Sequence, residues 1–206
     1  MQSKIIETDQ ERRSFIETAR RAQIIDCAIQ VIAELGYGQA SLAQIAKRAG
    51  ISTGVISYYF AGKDDLIAEV VAHVYAAGDA EIRPQVLAQT TASDMLATFI
   101  RANIAFAAAN PGYVTAMVEI RVAARAARAA PPFDPASAQV RFDGLSRILE
   151  FGQGAGLFRA FCIPIMADLI LEAIDLRAFR PDLEPQALAS ELVTVFDLAT
   201  RAARPA

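Results

Sequence analysis

The sequence has little of what most catalytic and metal sites need. It contains two cysteines, one histidine and no tryptophan among 206 residues. Cys27 and Cys162 provide no disulfide framework and no paired-cysteine metal signature. His73 has no cysteine or paired carboxylate at ligand spacing, and a lone histidine on a helix is more often a packing or surface residue than a general base. We therefore expect no metal site and no cofactor.

Catalytic motifs are also missing. Gly152, Gly154 and Gly156 follow a helical pattern and not a strand, so the dinucleotide-binding fingerprint lacks its structural context. The sequence contains neither a nucleophile elbow nor a recognisable Ser/His/Asp arrangement. We predict that the chain is not an enzyme, and a helical small-molecule enzyme is the weaker alternative.

Long hydrophobic runs are absent, although 54% of the residues are hydrophobic and the mean hydropathy is +0.29. A membrane-spanning helix needs about 18 consecutive apolar residues. The longest uncharged stretch, residues 102–118, is interrupted by Asn103, Pro111 and Gly112. Charged residues occupy the N-terminal positions where a signal peptide would have its apolar core. The sequence therefore predicts a cytoplasmic protein with no membrane partner.

What the sequence does have is helical periodicity almost throughout, without the alternating pattern of β-strands. We expect an all-α fold of roughly nine helices. Residues 1–12 are polar and aperiodic and predict a flexible tail. Residues 13–62 predict a small three-helix domain, and residues 63–206 a larger helical domain. Pro131 and Pro132 predict a break between two helices of the larger domain.

Two short helices follow each other closely in residues 41–59. Ser41 and Ser52 are good N-caps for them, and Gly50 ends the first one. A capped helix, a tight turn and a second capped helix form a helix-turn-helix, whose second helix enters the DNA major groove. Here that helix carries hydroxyl side chains and Gly54, which allows a close backbone approach. Double-stranded DNA is therefore the predicted partner.

The distribution of charge supports a DNA partner, although the net charge is −3 and the isoelectric point about 5.3. Residues 12–63 contain seven basic and three acidic residues, a net charge of +4. Residues 64–206 contain twelve basic and seventeen acidic residues, a net charge of −5. Because the basic charge is concentrated on the segment with the helix-turn-helix, phosphate contacts and salt-dependent binding are expected there.

Residues 49–66, AGISTGVISYYFAGKDDL, resemble the headpiece of TetR-type transcriptional regulators. The ISYYF variant is similar to a subgroup that includes choline- and betaine-responsive repressors, and the family usually carries tyrosine where this chain has Ser57. The resemblance implies a homodimeric repressor that a small-molecule effector releases from a palindromic operator. It also implies eight DNA-contacting residues: Ser41, Ser52, Thr53, Gly54, Ser57, Tyr58, Tyr59 and Lys63.

Two apolar segments near the C-terminus, residues 165–179 and 187–199, are the candidate dimer interface. Two recognition helices that read half-sites about 34–36 Å apart need a two-fold partner. Both segments are long enough to contribute to a four-helix bundle between two subunits. Their alternative role is the core of a monomer.

An effector pocket is expected where apolar and polar groups are mixed in the larger domain. The candidate ligand-binding residues are Phe99, Asn103, Phe106, Tyr113, Met117, Arg121, Phe142 and Leu149. Ordinary core packing is the alternative for each of them. An arginine in the cavity would favour an acidic ligand, whereas the subgroup resemblance favours a cationic ligand bound by aromatic faces or by Glu119. An architectural DNA-binding protein that senses no ligand is the alternative function.

Overall fold

The computed structural model describes residues 2–126, 135–180 and 182–202, and in this part of the chain all regular structure is helical. The described residues form nine helices, which confirms the all-α prediction. They are α1 (Gln2–Leu35), α2 (Leu42–Ala49), α3 (Thr53–Tyr59), α4 (Lys63–Leu87), α5 (Ala92–Ala109), α6 (Pro111–Ala126), α7 (Pro135–Gly154), α8 (Ile163–Phe179) and α9 (Pro185–Thr200). No helix in the described ranges is long and apolar enough to cross a membrane. The break predicted at Pro131 and Pro132 lies outside the described residues.

The chain divides into two compact units. The first, which we call the headpiece unit, comprises Met1–His73 and Thr115–Phe133, and the second, the helical body, comprises Val74–Val114 and Asp134–Ala206. The sequence placed the boundary between residues 62 and 63 instead. The start of α4 belongs to the headpiece unit, in which its apolar side chains Leu66, Ile67 and Val70 are completely buried.

Helix α1 is longer than the sequence predicted, because it begins at Gln2 and so includes most of the segment for which we expected a flexible tail. Residues 2–35 contain neither glycine nor proline, so no residue in the segment interrupts a helix. The helix ends where predicted, at Gly36, whose φ of 79° places it in the left-handed region.

The helix-turn-helix forms as the sequence indicates. The Ser41 hydroxyl accepts a hydrogen bond from the Gln44 N–H at 3.3 Å, and the Ser52 hydroxyl accepts one from the Val55 N–H at 3.4 Å. Between the two helices Gly50 adopts a φ of 66° and donates its N–H to the last turn of α2. These three residues define where α2 begins and ends and where α3 begins.

The core of the headpiece unit is formed by apolar side chains from α1 to α4. Its buried residues include Ile24, Ile45 and Phe60. Leu35 is 39% exposed because it lies at the C-terminal end of α1. The hydrophobic core therefore ends one turn before the helix does, at Val31 and Ile32.

The helical body is organised around α5, which packs against α7, α8 and α9. Its buried side chains include Leu96, Ile100, Leu145, Leu149 and Ile170. After α7 the chain turns back through Phe158, which is buried, and the Arg159 N–H donates to the Thr200 carbonyl at 2.8 Å. The Ala202 N–H also donates to the Leu157 carbonyl at 3.0 Å, and these two backbone hydrogen bonds fix the end of α9 to the connection between α7 and α8.

Candidate nucleic-acid interface

Helix α3 has one buried and one exposed face. Ile56 is completely buried and anchors the helix to the headpiece core. Five of the eight predicted DNA-contacting residues are exposed along the N-terminal end and outer face of α3: Ser52, Thr53, Gly54, Ser57 and Tyr58. The structure therefore brings these five residues together on one polar surface, which we call the α3 face.

The α3 face can approach another molecule closely. A Cβ atom at Gly54 would meet only the Ser52 hydroxyl, at 3.7 Å, which is an ordinary contact distance. The Ser57 hydroxyl donates to the Thr53 carbonyl at 3.2 Å. The oxygen of Ser57 thus keeps accepting capacity toward a hydrogen-bond donor outside the protein.

The two tyrosines at the end of α3 differ in environment. Tyr58 is 74% exposed, whereas Tyr59 is half-buried, and their rings meet edge to face with centroids 5.0 Å apart. The contact supports the Tyr58 ring in an outward direction, where its hydroxyl can donate to an acceptor such as a phosphate oxygen. Tyr59 is partly packed against the headpiece, and its backbone carbonyl accepts a hydrogen bond from Arg21, as described below.

Basic side chains of α2 and α4 surround the motif, but they are not equally available. Lys47 is exposed. Arg48 forms a salt bridge with Glu34 and is thereby tied to α1. Ser41, the first of the eight predicted residues along the chain, is exposed, and its hydroxyl caps α2.

Lys63, for which a phosphate contact was predicted, is attached to the turn that follows α1. Its ammonium group donates to the Tyr37 carbonyl at 2.8 Å and lies 4.2 Å from the centre of the Tyr37 ring. Burial lowers the pKa of Lys63, and the neighbouring Asp64 opposes this shift. An ammonium group has three donors, so the contact with Tyr37 leaves two for a phosphate. The phosphate contact of Lys63 stays a prediction.

Arg21 has a structural role that the sequence did not suggest. Its guanidinium group donates to the Tyr59 carbonyl at 2.7 Å, pairs with Glu69 at 2.9 Å and lies 4.6 Å from the centre of the Phe60 ring. Arg21 therefore joins α1, the end of α3 and α4. Its position on α1 beside the buried Ile24 and Ile25 is the only sequence signal for this role.

The eight predicted ligand-binding residues do not all lie in one unit. Phe99 and Leu149 are buried in the core of the helical body, and Phe106 and Phe142 pack against that core. The Phe106 and Tyr113 rings lie 6.2 Å apart. Met117 and Arg121 belong to the headpiece unit. Their function as ligand contacts, like that of the other six, stays a prediction.

Asn103 belongs to a polar network that the sequence did not reveal. Arg141 on α7 donates to the Asn103 side-chain oxygen at 3.1 Å and to Asp175 on α8 at 2.8 Å. The Asn103 amide group in turn donates to the Phe99 carbonyl at 2.8 Å. One sign of this network is visible in the sequence, because Arg141 falls at helical spacing from the apolar residues Leu145 and Ile148 of α7.

An open cavity of about 440 Å³ lies between α5 and α9. Its lining includes Leu96, Ile100, Arg101, Val193 and Asp197, and none of the eight predicted ligand-binding residues. The cavity is a groove along α5 and α9. It therefore lies at a different place from the predicted effector pocket.

Together the fold and the α3 face define a helix-turn-helix protein with a large helical body. The sequence profile of bacterial regulatory proteins of the tetR family matches residues 24–70. Residues 24–70 therefore resemble the N-terminal part of TetR-family regulators, as the sequence of residues 49–66 indicated.

Two curated relatives share this headpiece. The HTH-type transcriptional regulator BetI 1 of Chromohalobacter salexigens is 41% identical over 69 residues, which cover 33% of this chain and 34% of the relative. The HTH-type transcriptional regulator BetI of Escherichia coli is 48% identical over 52 residues, which cover 25% of this chain and 27% of the relative. The match thus spans about a third or less of either relative. Both relatives are HTH-type transcriptional regulators.

Solved structures match nearly the whole chain. The fatty acid degradation regulator FadR from Bacillus halodurans has a TM-score of 0.76 at 23% identity, covering 86% of this chain and 94% of that one. FadR from Bacillus subtilis, solved in complex with stearoyl-CoA, has a TM-score of 0.74 at 23% identity and covers 84% and 96%. The helical body therefore shares the fold of these regulators, while the sequence likeness to BetI is confined to the N-terminal third.

Proposed function

We propose that the chain is a ligand-responsive transcriptional regulator that binds a palindromic DNA operator as a homodimer and is released from it by a small molecule. The α3 face is the observation that carries this proposal, because a capped helix with exposed hydroxyls and an unobstructed glycine suits a DNA groove. The net charge of +4 on residues 12–63 and the likeness to BetI regulators support it. As a DNA-binding regulator the protein is expected in the cytoplasm.

The predicted contacts fall into two groups. Ser52, Thr53, Gly54 and Ser57 would lie against base edges or the adjoining backbone, where they contribute to sequence preference. Ser41, Tyr58, Tyr59 and Lys63 would contact phosphates, which fix the position and register of the headpiece on DNA.

Dimerisation is supported by an apolar stripe on α8. Ile165, Leu169, Leu176 and Phe179 are between 41% and 61% exposed and recur at helical spacing on one side of the helix. On α9, Val195 and Leu198 are 46% and 68% exposed. A monomer would leave these side chains in water, whereas a second copy of the chain that packs its own α8 and α9 against them would bury them.

The effector would bind in the helical body, among the aromatic residues near Asn103. This part of the proposal draws on the likeness of fold to the Bacillus subtilis FadR that was solved with stearoyl-CoA. We propose that the ligand favours a conformation in which α4 swings and the two headpieces leave the spacing of the operator. A coupling of about 1–3 kcal/mol would change the DNA affinity some 5- to 150-fold.

Selection from a random duplex library with the purified full-length chain tests DNA recognition. We expect enrichment of one palindromic sequence, and fluorescence anisotropy should show that its affinity falls steeply with rising salt. Gly54→Ala is the informative variant. The added Cβ fits within the protein, so weaker DNA binding by this variant would show that the DNA backbone lies close to Gly54. Binding to random duplexes without any enrichment would contradict the proposal.

The second test addresses the ligand. Small molecules that remain bound to the natively purified protein are identified by mass spectrometry and added back to the complex with the selected duplex. We expect at least one of them to release the DNA. Release by none of them, together with intact sequence preference, would favour the architectural alternative.

A further inference from the structure

We propose that Arg21 is the residue that positions the recognition helix α3, and that it does so without touching DNA. This inference rests on the proposed DNA-binding function and identifies a residue outside the eight that were assigned to DNA contact. Three contacts of one guanidinium group carry it, and all of them lie within the headpiece unit.

The first contact is made with the end of α3. The last carbonyl groups of a helix have no partner within the helix and need a donor from elsewhere. The Arg21 guanidinium group supplies one to the Tyr59 carbonyl at 2.7 Å, a short distance for a charge-assisted hydrogen bond. Its positive charge also interacts favourably with the negative end of the α3 dipole, as a cation at a helix C-terminus does.

The other two contacts fix the direction of the guanidinium plane. Glu69 on α4 pairs with a guanidinium nitrogen at 2.9 Å, and the Phe60 ring lies beneath the group at 4.6 Å. Phe60 is the C-cap of α3 and is only 2% exposed, so its ring is enclosed by the headpiece core. Glu69 and Phe60 thus hold the Arg21 guanidinium group in the orientation in which it donates to the Tyr59 carbonyl.

The consequence concerns the α3 face. Helix α3 has only seven residues and one completely buried side chain, Ile56, so its own packing constrains its tilt weakly. Arg21 fixes its C-terminal end while the Ser52 cap fixes its N-terminal end. The neighbouring Arg20 has no such function, since its guanidinium group bonds to Gln23 one turn along α1.

A set of four variants separates positioning from phosphate contact: Arg21→Met, Arg21→Lys, Glu69→Gln and, as the matched control, Arg20→Met. We expect Arg21→Met to lower the affinity for the selected duplex about tenfold, the scale of one lost specific contact, and to lower the preference over random duplex. The slope of log affinity against log salt should be unchanged, because no phosphate contact is lost. Arg21→Lys should restore only part of the affinity, because lysine lacks the planar fork that serves two partners at once.

Glu69→Gln gives opposite results under the two models. If Arg21 positions α3, weakening its anchor lowers the affinity. If Arg21 bound phosphate, removal of Glu69 would release the guanidinium group and the affinity would be maintained or rise, while Arg21→Met would reduce the salt slope by about 0.9. That second pattern would overturn the proposal. Arg20→Met should leave the preference for the selected duplex intact.

Amide hydrogen exchange provides a measurement that does not depend on DNA. The N–H of Phe60 bonds to the Ile56 carbonyl, and we expect it to exchange faster in Arg21→Met and Glu69→Gln than in the wild type, with the amides of α2 unchanged. Unchanged exchange at Phe60 would refute positioning by Arg21. A wild-type chain without sequence preference would refute the proposed function, and the exchange data would still decide the role of Arg21.

Discussion

The backbone N–H of Tyr37 donates a hydrogen bond to Oε2 of Glu119 at 3.2 Å, and this bond ties the turn after α1 to helix α6. The Tyr37 carbonyl accepts from Lys63 at the start of α4, so both backbone groups of this residue are paired outside its own turn. Gly36 allows the approach, because a Cβ at this position would lie 3.0 Å from Oε2 of Glu119. Three helices of the headpiece unit therefore converge on Tyr37.

Glu119→Ala is expected to destabilise the headpiece unit by about 1 kcal/mol, since it leaves the half-buried Tyr37 N–H without its acceptor. Glu119→Gln is the control, because its side-chain carbonyl can still accept the bond. Urea unfolding followed by circular dichroism measures the difference. Equal unfolding midpoints for Glu119→Ala and the wild type would show that the bond contributes nothing to stability.

Ser52 allows its capping function to be separated from its proposed DNA contact. Ser52→Ala removes the acceptor for the Val55 N–H and should cost about 1 kcal/mol, whereas asparagine is an equally good N-cap and Ser52→Asn should keep the stability. If Ser52 also lies against DNA, both variants weaken binding to the selected duplex. Thermal unfolding and anisotropy are measured together, and normal DNA binding by Ser52→Asn would restrict Ser52 to the cap.

The sequence predicted those parts of the fold that short-range chemistry determines. Ser41, Gly50 and Ser52 specify helix ends through their own side chains or backbone, and all three are where the pattern indicated. Helix α4, by contrast, continues to Leu87 with Pro84 inside it, although proline disfavours a helix interior. Pro84 lies on an exposed face of α4, where it removes one backbone donor but does not collide with a neighbouring element. The sequence alone does not show which face of the helix is exposed.

The parts of the candidate site that could not be predicted depend on contacts between residues far apart in the chain. Arg21 and Tyr59 are 38 positions apart, as are Asn103 and Arg141. The sequence shows only that Arg21 is basic, because composition cannot distinguish a free cation from one that is paired. The α3 face, by contrast, is formed by one continuous segment, so the exposure of its residues follows from the local helical pattern, and their contact with DNA stays a prediction.

A close contact in the helical body leads to a paired glycine test. A Cβ at Gly152 on α7 would lie 2.0 Å from the Phe158 ring, whereas a Cβ at Gly144 on the same helix would meet nothing within 4 Å. Phe158 is buried, so its ring cannot move into solvent. We expect Gly152→Ala to destabilise the chain by about 1–3 kcal/mol. Gly144→Ala should be neutral or stabilise it by about 0.5–1 kcal/mol. Similar melting temperatures for the two variants would contradict this packing.

The apolar stripe on α8 predicts how the subunits of the proposed homodimer associate. Leu169 is 56% exposed, and glutamate at this position would be tolerated in a monomer but would introduce two like charges near each other across a two-fold interface. We expect Leu169→Glu to shift the protein from dimer to monomer in sedimentation equilibrium and to weaken binding to the selected palindrome, because each headpiece then binds one half-site alone. Leu87→Glu is the matched control, since Leu87 is 68% exposed at the end of α4 and should leave the dimer intact. A Leu169→Glu protein that still sediments as a dimer would exclude α8 as the interface, and loss of the dimer by Leu87→Glu instead would place it at the end of α4.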